Sequence, residues 1–258
     1  MWALRREPLS TARFQRASLS SGDLPHVPID DAESLCVLRR SALFSGLPTQ
    51  DCIPIVAGAR RRRFSRDETL FMKEQPVRHV LLVTSGCVKL TQLSTNGSEV
   101  ILWLLGAGDV LGAIGLAAGG THTCSARVAT DCTALVWDHA KFDGILSDSP
   151  VIRRNLGLIL SDRLAELEER FREIATEPVA KRVALTLVRL VQRVGIYSSI
   201  GIEVNMSREE LAQMTGTTLF TISRLISEWE RKGLVLPRRG AVIVLSPDRL
   251  LEEGCSSE

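Results

Sequence analysis

The chain has 258 residues, enough for two domains of ordinary size or one large domain. Hydrophobic residues make up 45% of it and charged residues 24%, a composition typical of a soluble globular protein with a buried core. The formal net charge is only +2, so binding to nucleic acid would require locally clustered Lys and Arg. No apolar run reaches the roughly 18–20 residues of a membrane-spanning helix, and we expect no membrane partner.

Six cysteines are spread along the chain, none in a CxxC pair and none behind a recognisable signal peptide. This spacing predicts no metal site. We therefore expect a cytoplasmic protein with reduced, mostly structural thiols. The cysteines are Cys36, Cys52, Cys87, Cys124, Cys132 and Cys255.

Residues 1–33 differ in composition from the rest, because they are basic, rich in Ser and Thr, and poor in acids. Such a composition predicts a flexible N-terminal extension outside the folded domains. An organelle transit peptide has a similar composition and stays as the alternative.

Residues 34–148 are predicted to form short helices and then a small β-roll. The stretch 64–136 is rich in Val, Leu and Thr and is interrupted by Gly, which indicates short strands with glycine at the corners. One hairpin is clear, because residues 88–93 and 100–105 flank Asn96-Gly97, a pair that favours a type I′ turn. Residues 106–110 (GAGDV) indicate a turn into the next strand, with no helix after it.

Residues 149–176 are predicted to form one long helix that pairs with its twin in a homodimer. Apolar residues recur there at steps of three and four, and the opposite face is charged. A one-sided helix of about 24 residues, roughly 35 Å long, packs naturally against a second copy of itself. Packing on its own domain is the alternative. The expected interface residues are Ile152, Leu156, Leu160, Leu164, Leu167, Phe171 and Ile174.

Residues 177–250 have the pattern of a winged helix-turn-helix. Ser207 and Glu210 have the spacing of a capping box, which starts a helix that Gly216 ends. A second helix follows over residues 219–231, with one apolar stripe and a mixed outer face. Two helices joined by a short turn that contains Gly are typical of a DNA-binding helix-turn-helix.

Residues 234–245 are predicted to form a β-hairpin with arginine at its tip, and residues 251–258 a C-terminal tail. Arginine at such a tip can reach phosphates. The start of the second helix offers N–H groups to phosphate, and Arg224 can donate twice to guanine. An ordinary helical hairpin with solvated Arg is the alternative. The predicted DNA-contacting residues are Arg208, Thr217, Thr218, Leu219, Phe220, Thr221, Ser223, Arg224, Arg238 and Arg239.

From about Ser34 onward the chain resembles the CRP/FNR family of transcription regulators. The matching segments are residues 43–47 (LFSGL), 83–90 (VTSGCVKL), 105–112 (LGAGDVLG), 177–182 (EPVAKR) and 207–234, which includes TISR at 221–224. The resemblance implies an α+β fold: an N-terminal, jelly-roll-like β-roll of the cyclic-nucleotide-binding type, a long dimerisation helix and a C-terminal winged helix-turn-helix. It also implies a homodimer that binds palindromic double-stranded DNA and contacts RNA polymerase.

The sequence departs from the family pattern in both domains. The family's recognition helix often has a Glu four residues before the Arg, and Phe220 stands there. A Phe can pack on a thymine methyl but cannot accept from cytosine; a Phe turned into the protein is the alternative. Ala113 replaces the ribose-binding Glu, and Cys124 replaces the phosphate-binding Arg. A buried phosphate without its Arg lacks charge compensation, so cyclic AMP is not expected. The candidate effector residues are Gly112, Ala113, Cys124, Ser125 and Arg127, the last as a substitute cation.

The effector itself is unknown from the sequence. An iron–sulfur cluster is not expected, because Cys36 stands alone in the N-terminal region. A thiol switch between Cys124 and Cys132 is one alternative, and haem is another, because one axial His can suffice. The candidate axial residues are His79, His122 and His139.

An enzyme and a regulatory module without DNA binding are the two other classes of function to weigh. The sequence has no nucleophile–base arrangement, no metal-ligand spacing and no phosphate loop, so we expect a protein that is not an enzyme. A β-roll module that regulates a protein partner without DNA is the other class. Arg224 and the arginine-tipped hairpin favour DNA binding over it.

Overall fold

The computed structural model describes residues 31–95 and 97–256 of the chain. An N-terminal β-roll with flanking helices is followed by a long helix and then by a winged helix. The first part consists of α1 (Asp31–Arg40), a 3-10 helix (Ala42–Phe44), α2 (Thr49–Ala57), β1 (Arg60–Phe64), β2 (Thr69–Phe71), β3 (His79–Leu93), β4 (Glu99–Leu105), β5 (Val110–Leu111), α3 (Ala113–Ala117), β6 (Ser125–Asp138) and α4 (His139–Asp148). The second part consists of α5 (Pro150–Thr176), α6 (Val179–Val194), β7 (Ile196–Tyr197), β8 (Ile202–Val204), α7 (Arg208–Thr215), α8 (Leu219–Arg231), β9 (Val235–Arg238), β10 (Ala241–Val244) and α9 (Pro247–Ser256).

The β-roll is one antiparallel sheet with the strand order β1-β6-β3-β4, to which β2 pairs on β6 and β5 on β3. Alternate residues of β3 enter two different cores, as the two-residue period of a strand requires. Val80 and Leu82 pack with the helices, whereas Leu81 and Val83 belong to the interior of the roll. The predicted pairing of residues 88–93 with 100–105 is confirmed by the β3–β4 ladder. The turn type rests on Asn96, which lies outside the described residues.

Three short helices were not expected from the sequence. Helix α3 follows Gly112 directly, although the strand pattern predicted no helix there, and α4 follows β6. The third, α9, occupies most of the segment predicted to be a C-terminal tail. It packs on α6, with Leu250 fully buried and the backbone at Gly254 close to Ala184. That apolar contact makes Leu250 of α9 part of the C-terminal core.

The first half of α5 is fixed to the β-roll of its own chain. The Asn155 side-chain amide donates to the carbonyl oxygens of Leu43 (3.0 Å) and Ser45 (2.7 Å). Ile152 and Leu156 are buried in the core between the helices and the sheet. Their prediction as dimer-interface residues is therefore wrong, because their surface is already covered within the chain.

The second half of α5 is apolar and largely uncovered. Leu160, Leu164, Phe171 and Ile174 are each more than 40% exposed, and Leu167 between them is half-buried against the roll. At 100° per residue these five positions share one face of the helix. The predicted stripe is thus divided into an N-terminal part that anchors α5 and a C-terminal part that faces solvent.

The C-terminal part is a winged helix with its own small sheet, in the order β7-β8-β10-β9. Its core is formed by the inner faces of α6, α7 and α8, around the fully buried Trp229. Among the described residues, no helix combines the length and apolar composition needed to cross a bilayer.

Candidate nucleic-acid interface

The first helix of the helix-turn-helix, α7, begins and ends as the sequence predicts. The hydroxyl of Ser207 accepts from the backbone N–H of Glu210 (3.2 Å), and the Glu210 carboxylate accepts from the backbone N–H of Ser207 (2.9 Å). These two bonds are the complete capping box. Gly216 ends the helix with φ +63°, a left-handed conformation that favours glycine.

The second helix, α8, buries one face and leaves its start open to solvent. Thr218 caps it, since its hydroxyl accepts from the N–H of Thr221 at 3.1 Å. The buried face consists of Ile222, Leu225, Ile226 and Trp229. On the other face Phe220 is 80% exposed, Leu219 is half exposed, and Arg224 is exposed; Thr217, Thr221 and Ser223 are half-buried beside them. Helix α8 therefore presents the predicted residues as one surface.

The wing is the β9–β10 hairpin. Arg238 pairs with Ala241, and the two residues between them, Arg239 and Gly240, form the tip, where Gly240 has φ +74°. Both arginines are exposed, and Nη1 of Arg238 lies 3.6 Å from the Glu203 carboxylate. Arg208, at the start of α7, is half-buried.

One basic residue beside the wing was missed by sequence reasoning. This residue is Arg66, which lies in the turn between β1 and β2 of the β-roll. Its Nη2 would be 3.9 Å from a Cβ built at Gly240. The Arg66 side chain is 56% exposed, and Asp67 lies 3.9 Å from its Nε. Because Arg66 and the wing are far apart in the sequence, no local pattern could have paired them.

The winged helix packs directly on the β-roll. Ile101 and Leu104 of β4 belong to the same buried cluster as Leu211 and Met214 of α7, and Cys87 of β3 joins it. This contact leaves the exposed face of α8 free, because Leu219, Phe220 and Arg224 lie outside the cluster.

The predicted effector residues have different environments. Cys124 points into the roll, where Ala126 and Val128 follow it at the two-residue period of β6. Ser125 and Arg127 therefore lie on the outer face. The Ser125 hydroxyl accepts from the backbone N–H of Lys73, and Arg127 is exposed. The prediction that Arg127 replaces the missing phosphate-binding arginine is thus wrong, because strand alternation turns the Arg127 side chain outward.

Two other predicted effector residues have structural roles. Gly112 has φ +86°, and a Cβ there would meet the carbonyl oxygen of His79 at 2.6 Å, so glycine is required. Ala113 is buried against the helices. Trp103 belongs to the same buried cluster as Cys124, and the Arg163 guanidinium of α5 lies 5.5 Å from the centre of the Trp103 ring.

The histidines and cysteines that the sequence offers for sensing differ in burial and in pKa. His122 is buried and stacks on Phe71 with ring centres 3.6 Å apart, and burial lowers its pKa to about 4. His79 lies 3.4 Å from Asp138, and His139 is exposed at the start of α4. Burial raises the pKa of the Cys132 thiol to about 12 and also raises that of Cys124, so neither forms a thiolate readily. The structure therefore favours neither haem nor a thiol switch.

Comparisons with known proteins match both halves of the chain. The family model of the cyclic nucleotide-binding domain matches residues 61–149, and that of the Crp-like helix-turn-helix domain matches residues 181–253. A CRP-like cAMP-activated global transcriptional regulator of Mycobacterium tuberculosis is 24% identical, over 83% of this chain and 96% of the relative. The cyclic AMP receptor protein of Thermus thermophilus is 27% identical, over 84% and 97%.

The fold is also that of solved regulators. The c-di-GMP responsive global regulator CLP of Xanthomonas campestris superposes with a TM-score of 0.65 at 23% identity, covering 77% of this chain and all of that structure. Both domain families occur in the expected order, and the relatives align over nearly their whole length. The chain therefore belongs to the CRP/FNR family of DNA-binding transcription regulators.

Proposed function

We propose that this protein is a homodimeric regulator that reads a palindromic operator with α8 and holds the flanking phosphates with its wing. The observation that carries the proposal is the capped α8, whose exposed face combines Phe220 and Arg224 beside the arginine-tipped wing. Phosphate contacts fix the position of a protein on DNA, and contacts to base edges specify the sequence. The surface contains both kinds of group.

The proposed base contacts follow from the chemistry of the exposed face. The Arg224 guanidinium can donate to O6 and N7 of guanine, the most common specific contact in the major groove. Phe220 is the most exposed large apolar residue of the helix and has no acceptor, so we infer contact with a thymine methyl. Thr217, Thr218, Thr221 and Ser223 lie around the helix start, where N–H groups favour phosphate.

The uncovered second half of α5 supports the proposed dimer. Leu160, Leu164, Phe171 and Ile174 form an apolar face that nothing in the described part of the chain covers. A continuous apolar face of this kind marks an interaction site. A parallel copy of α5 would cover it and would relate the two α8 helices by a two-fold axis, as a palindrome requires.

We further propose that the effector is not cyclic AMP, although one relative is named as cAMP-activated and another as a cyclic AMP receptor protein. A cyclic phosphate needs a cation in the roll, and Cys124 stands where the family has Arg. Calorimetric titration with cyclic AMP should show no heat of binding. A micromolar dissociation constant would contradict this part of the proposal.

A gel-shift assay on promoter fragments tests the proposed function. Wild-type protein should retard a subset of fragments in the presence of excess nonspecific DNA. Arg224→Ala should weaken that binding by about 1–3 kcal/mol per half-site, which is roughly 5- to 150-fold. Arg249→Ala, an exposed arginine on α9 of the same domain, is the matched control and should bind like wild type. Equal binding by both variants would show that α8 does not read the bases.

A further inference from the structure

Helix α7, the first helix of the helix-turn-helix, is contacted at both ends by cationic side chains from outside the winged helix. Lys89 of β3 reaches its first turn, and Arg170 of α5 reaches its last turn. Neither residue has a role in the DNA-contacting surface. Lys89 and Arg170 are called the α7 clamp below.

The contact at the start of α7 is a buried ion pair built on the capping box. Lys89 Nζ donates to Glu210 Oε1 at 2.8 Å, and the Lys89 side chain is only 8% exposed. The second carboxylate oxygen of Glu210 accepts from the N–H and the hydroxyl of Ser207, both at 2.9 Å. The Glu210 carboxylate thus caps the start of α7 and also binds Lys89 of the β-roll.

The charge state of Glu210 supports this contact. Burial by itself would raise the pKa of Glu210, but hydrogen bonds from Lys89 and Ser207 outweigh it and hold that pKa below its ordinary value. The carboxylate is therefore ionised at neutral pH, as an ion pair requires. If only one partner were neutralised, the other charge would stay buried without compensation.

The contact at the end of α7 joins three elements through one guanidinium. Arg170 Nη2 donates to the carbonyl oxygen of Met214 (2.9 Å) and to that of Ile101 (3.4 Å). Its Nη1 donates to the carbonyl oxygen of Leu102. Carbonyl groups at the end of a helix carry partial negative charge and favour a cation. Arg170 therefore ties the last turn of α7 to strand β4.

The clamp orients α7 without covering the recognition helix. The buried cluster between α7 and β4 leaves Phe220 and Arg224 of α8 exposed. Because α7 packs against α8, fixing α7 at two points fixes the direction of α8. The clamp therefore does not block the proposed DNA-binding surface.

We propose that Lys89 and Arg170 are positioning residues: they hold α7 at both ends and so set the direction of each recognition helix relative to the dimer axis. The state of the β-roll then reaches the DNA-binding surface through β3 and β4 as well as along α5. This inference rests on the proposed function, because its consequence is the geometry of two half-sites read together.

The test compares a palindromic operator with an isolated half-site. The double variant Lys89→Met/Glu210→Gln removes both charges, and Gln at position 210 can still close the capping box. Its affinity for the palindrome should fall by about tenfold, and it should tolerate one or two extra base pairs between half-sites, since two linked binding events need compatible geometry. Half-site affinity should stay within about twofold of wild type, because α8 itself is unchanged. Arg170→Met should behave in the same way.

The control is Lys73→Met, the same substitution at a half-exposed lysine of the β-roll whose ion pair with Glu74 is at the surface. It should leave both affinities and the preferred spacing unchanged. Tighter binding of the palindrome by the double variant would overturn the proposal, because the contact would then be inhibitory. Unchanged spacing preference would overturn it as well.

A second measurement tests without DNA whether the α7 clamp holds the winged helix in one orientation on the β-roll. Cys36 on α1 and Cys255 on α9 are exposed, whereas Cys52, Cys87, Cys124 and Cys132 are buried, so spin labels can be placed on the native chain at one site in each half. Labelled protein mixed with excess unlabelled protein should give one narrow distance distribution in wild type and a broad one in the double variant. An equally narrow distribution in both would refute the clamp. If wild type binds no DNA selectively, the proposed function fails, and this distance measurement still decides whether the clamp holds the two halves.

Discussion

The winged helix and the β-roll differ in how their predicted site residues are arranged. In the winged helix, residues predicted from a short stretch of sequence lie on one surface around the start of α8. In the β-roll, the predicted effector residues have different environments: Cys124 lies inside, Arg127 is exposed, and Gly112 has a backbone conformation that requires glycine. The winged helix therefore presents its predicted residues on one surface, and the β-roll does not.

The difference has a physical cause. A helix-turn-helix is specified by contacts three or four residues apart, so caps and apolar spacing determine which side chains face outward. A pocket inside a β-roll depends on strands that are distant in the sequence and on which face each residue takes, and a shift of one residue reverses that face. The family resemblance thus predicts the fold of both domains, whereas the predicted arrangement of side chains is easier to derive for the helix-turn-helix than for the β-roll.

The largest expected effect concerns the helix that joins the two regions. The double variant Leu164→Glu/Phe171→Glu places two charges on the exposed apolar face of α5. The dimer should dissociate, because two such charged faces cannot be buried against each other. Sedimentation should show monomers, and binding to a palindrome should be lost while half-site binding remains.

The matched control is Leu158→Glu. Leu158 is also an exposed leucine of α5, but it points away from the stripe, two residues before Leu160. This variant should remain a dimer. If the Leu164/Phe171 variant is also dimeric, the two-fold interface lies elsewhere.

A second prediction concerns the stability of the β-roll at mildly acid pH. The folded pKa of His122 is about 4, below its ordinary value of 6.5, so the unfolded chain binds a proton in this interval and the folded chain does not. Stability should therefore fall as the pH decreases below 6.5, by about 2 kcal/mol at pH 5. His122→Phe keeps an aromatic ring on Phe71 and should remove this pH dependence in urea unfolding. A wild-type stability that does not change between pH 7 and pH 5 would mean that His122 is accessible to protons.

The smallest expected effect tests whether the β-roll takes part in DNA binding through Arg66. Arg239→Ala should reduce the slope of log K against log salt by about 0.9 if the wing tip contacts one phosphate. Arg66→Ala should give a similar but smaller decrease, and only on duplexes that extend beyond the half-site, since Arg66 lies next to the wing tip.

Arg60→Ala is the control for this measurement. Arg60 is equally exposed and belongs to the same arginine-rich run, but it lies at the far end of β1, roughly 20 Å away along the strand. The slope of log K against log salt for Arg60→Ala should equal that of wild type. Identical slopes for Arg66→Ala and Arg60→Ala would restrict the DNA contact to the winged helix.

The order of domains, the capping box of α7 and the bounds of α8 could be predicted from the sequence, since each is signalled by local spacing. The division of α5 could not be, because an apolar stripe does not distinguish a face buried on its own domain from one that binds a partner. The clamp could not be predicted either, since Lys89 and Glu210 are 121 residues apart. Helix α9 was missed because its core contact, Leu250, follows a proline start that resembles a loop.

The central claim, that the exposed face of α8 reads DNA, is tested most directly by selecting binding sites from random duplexes with wild type and with Phe220→Glu. Wild type should select a palindrome with half-sites about 10 bp apart and a guanine in each half that Arg224 reads. Phe220→Glu should shift the preference toward cytosine at one position per half-site, because the carboxylate accepts from its N4 amine. Identical motifs from the two proteins, or no enriched motif from wild type, would contradict the account.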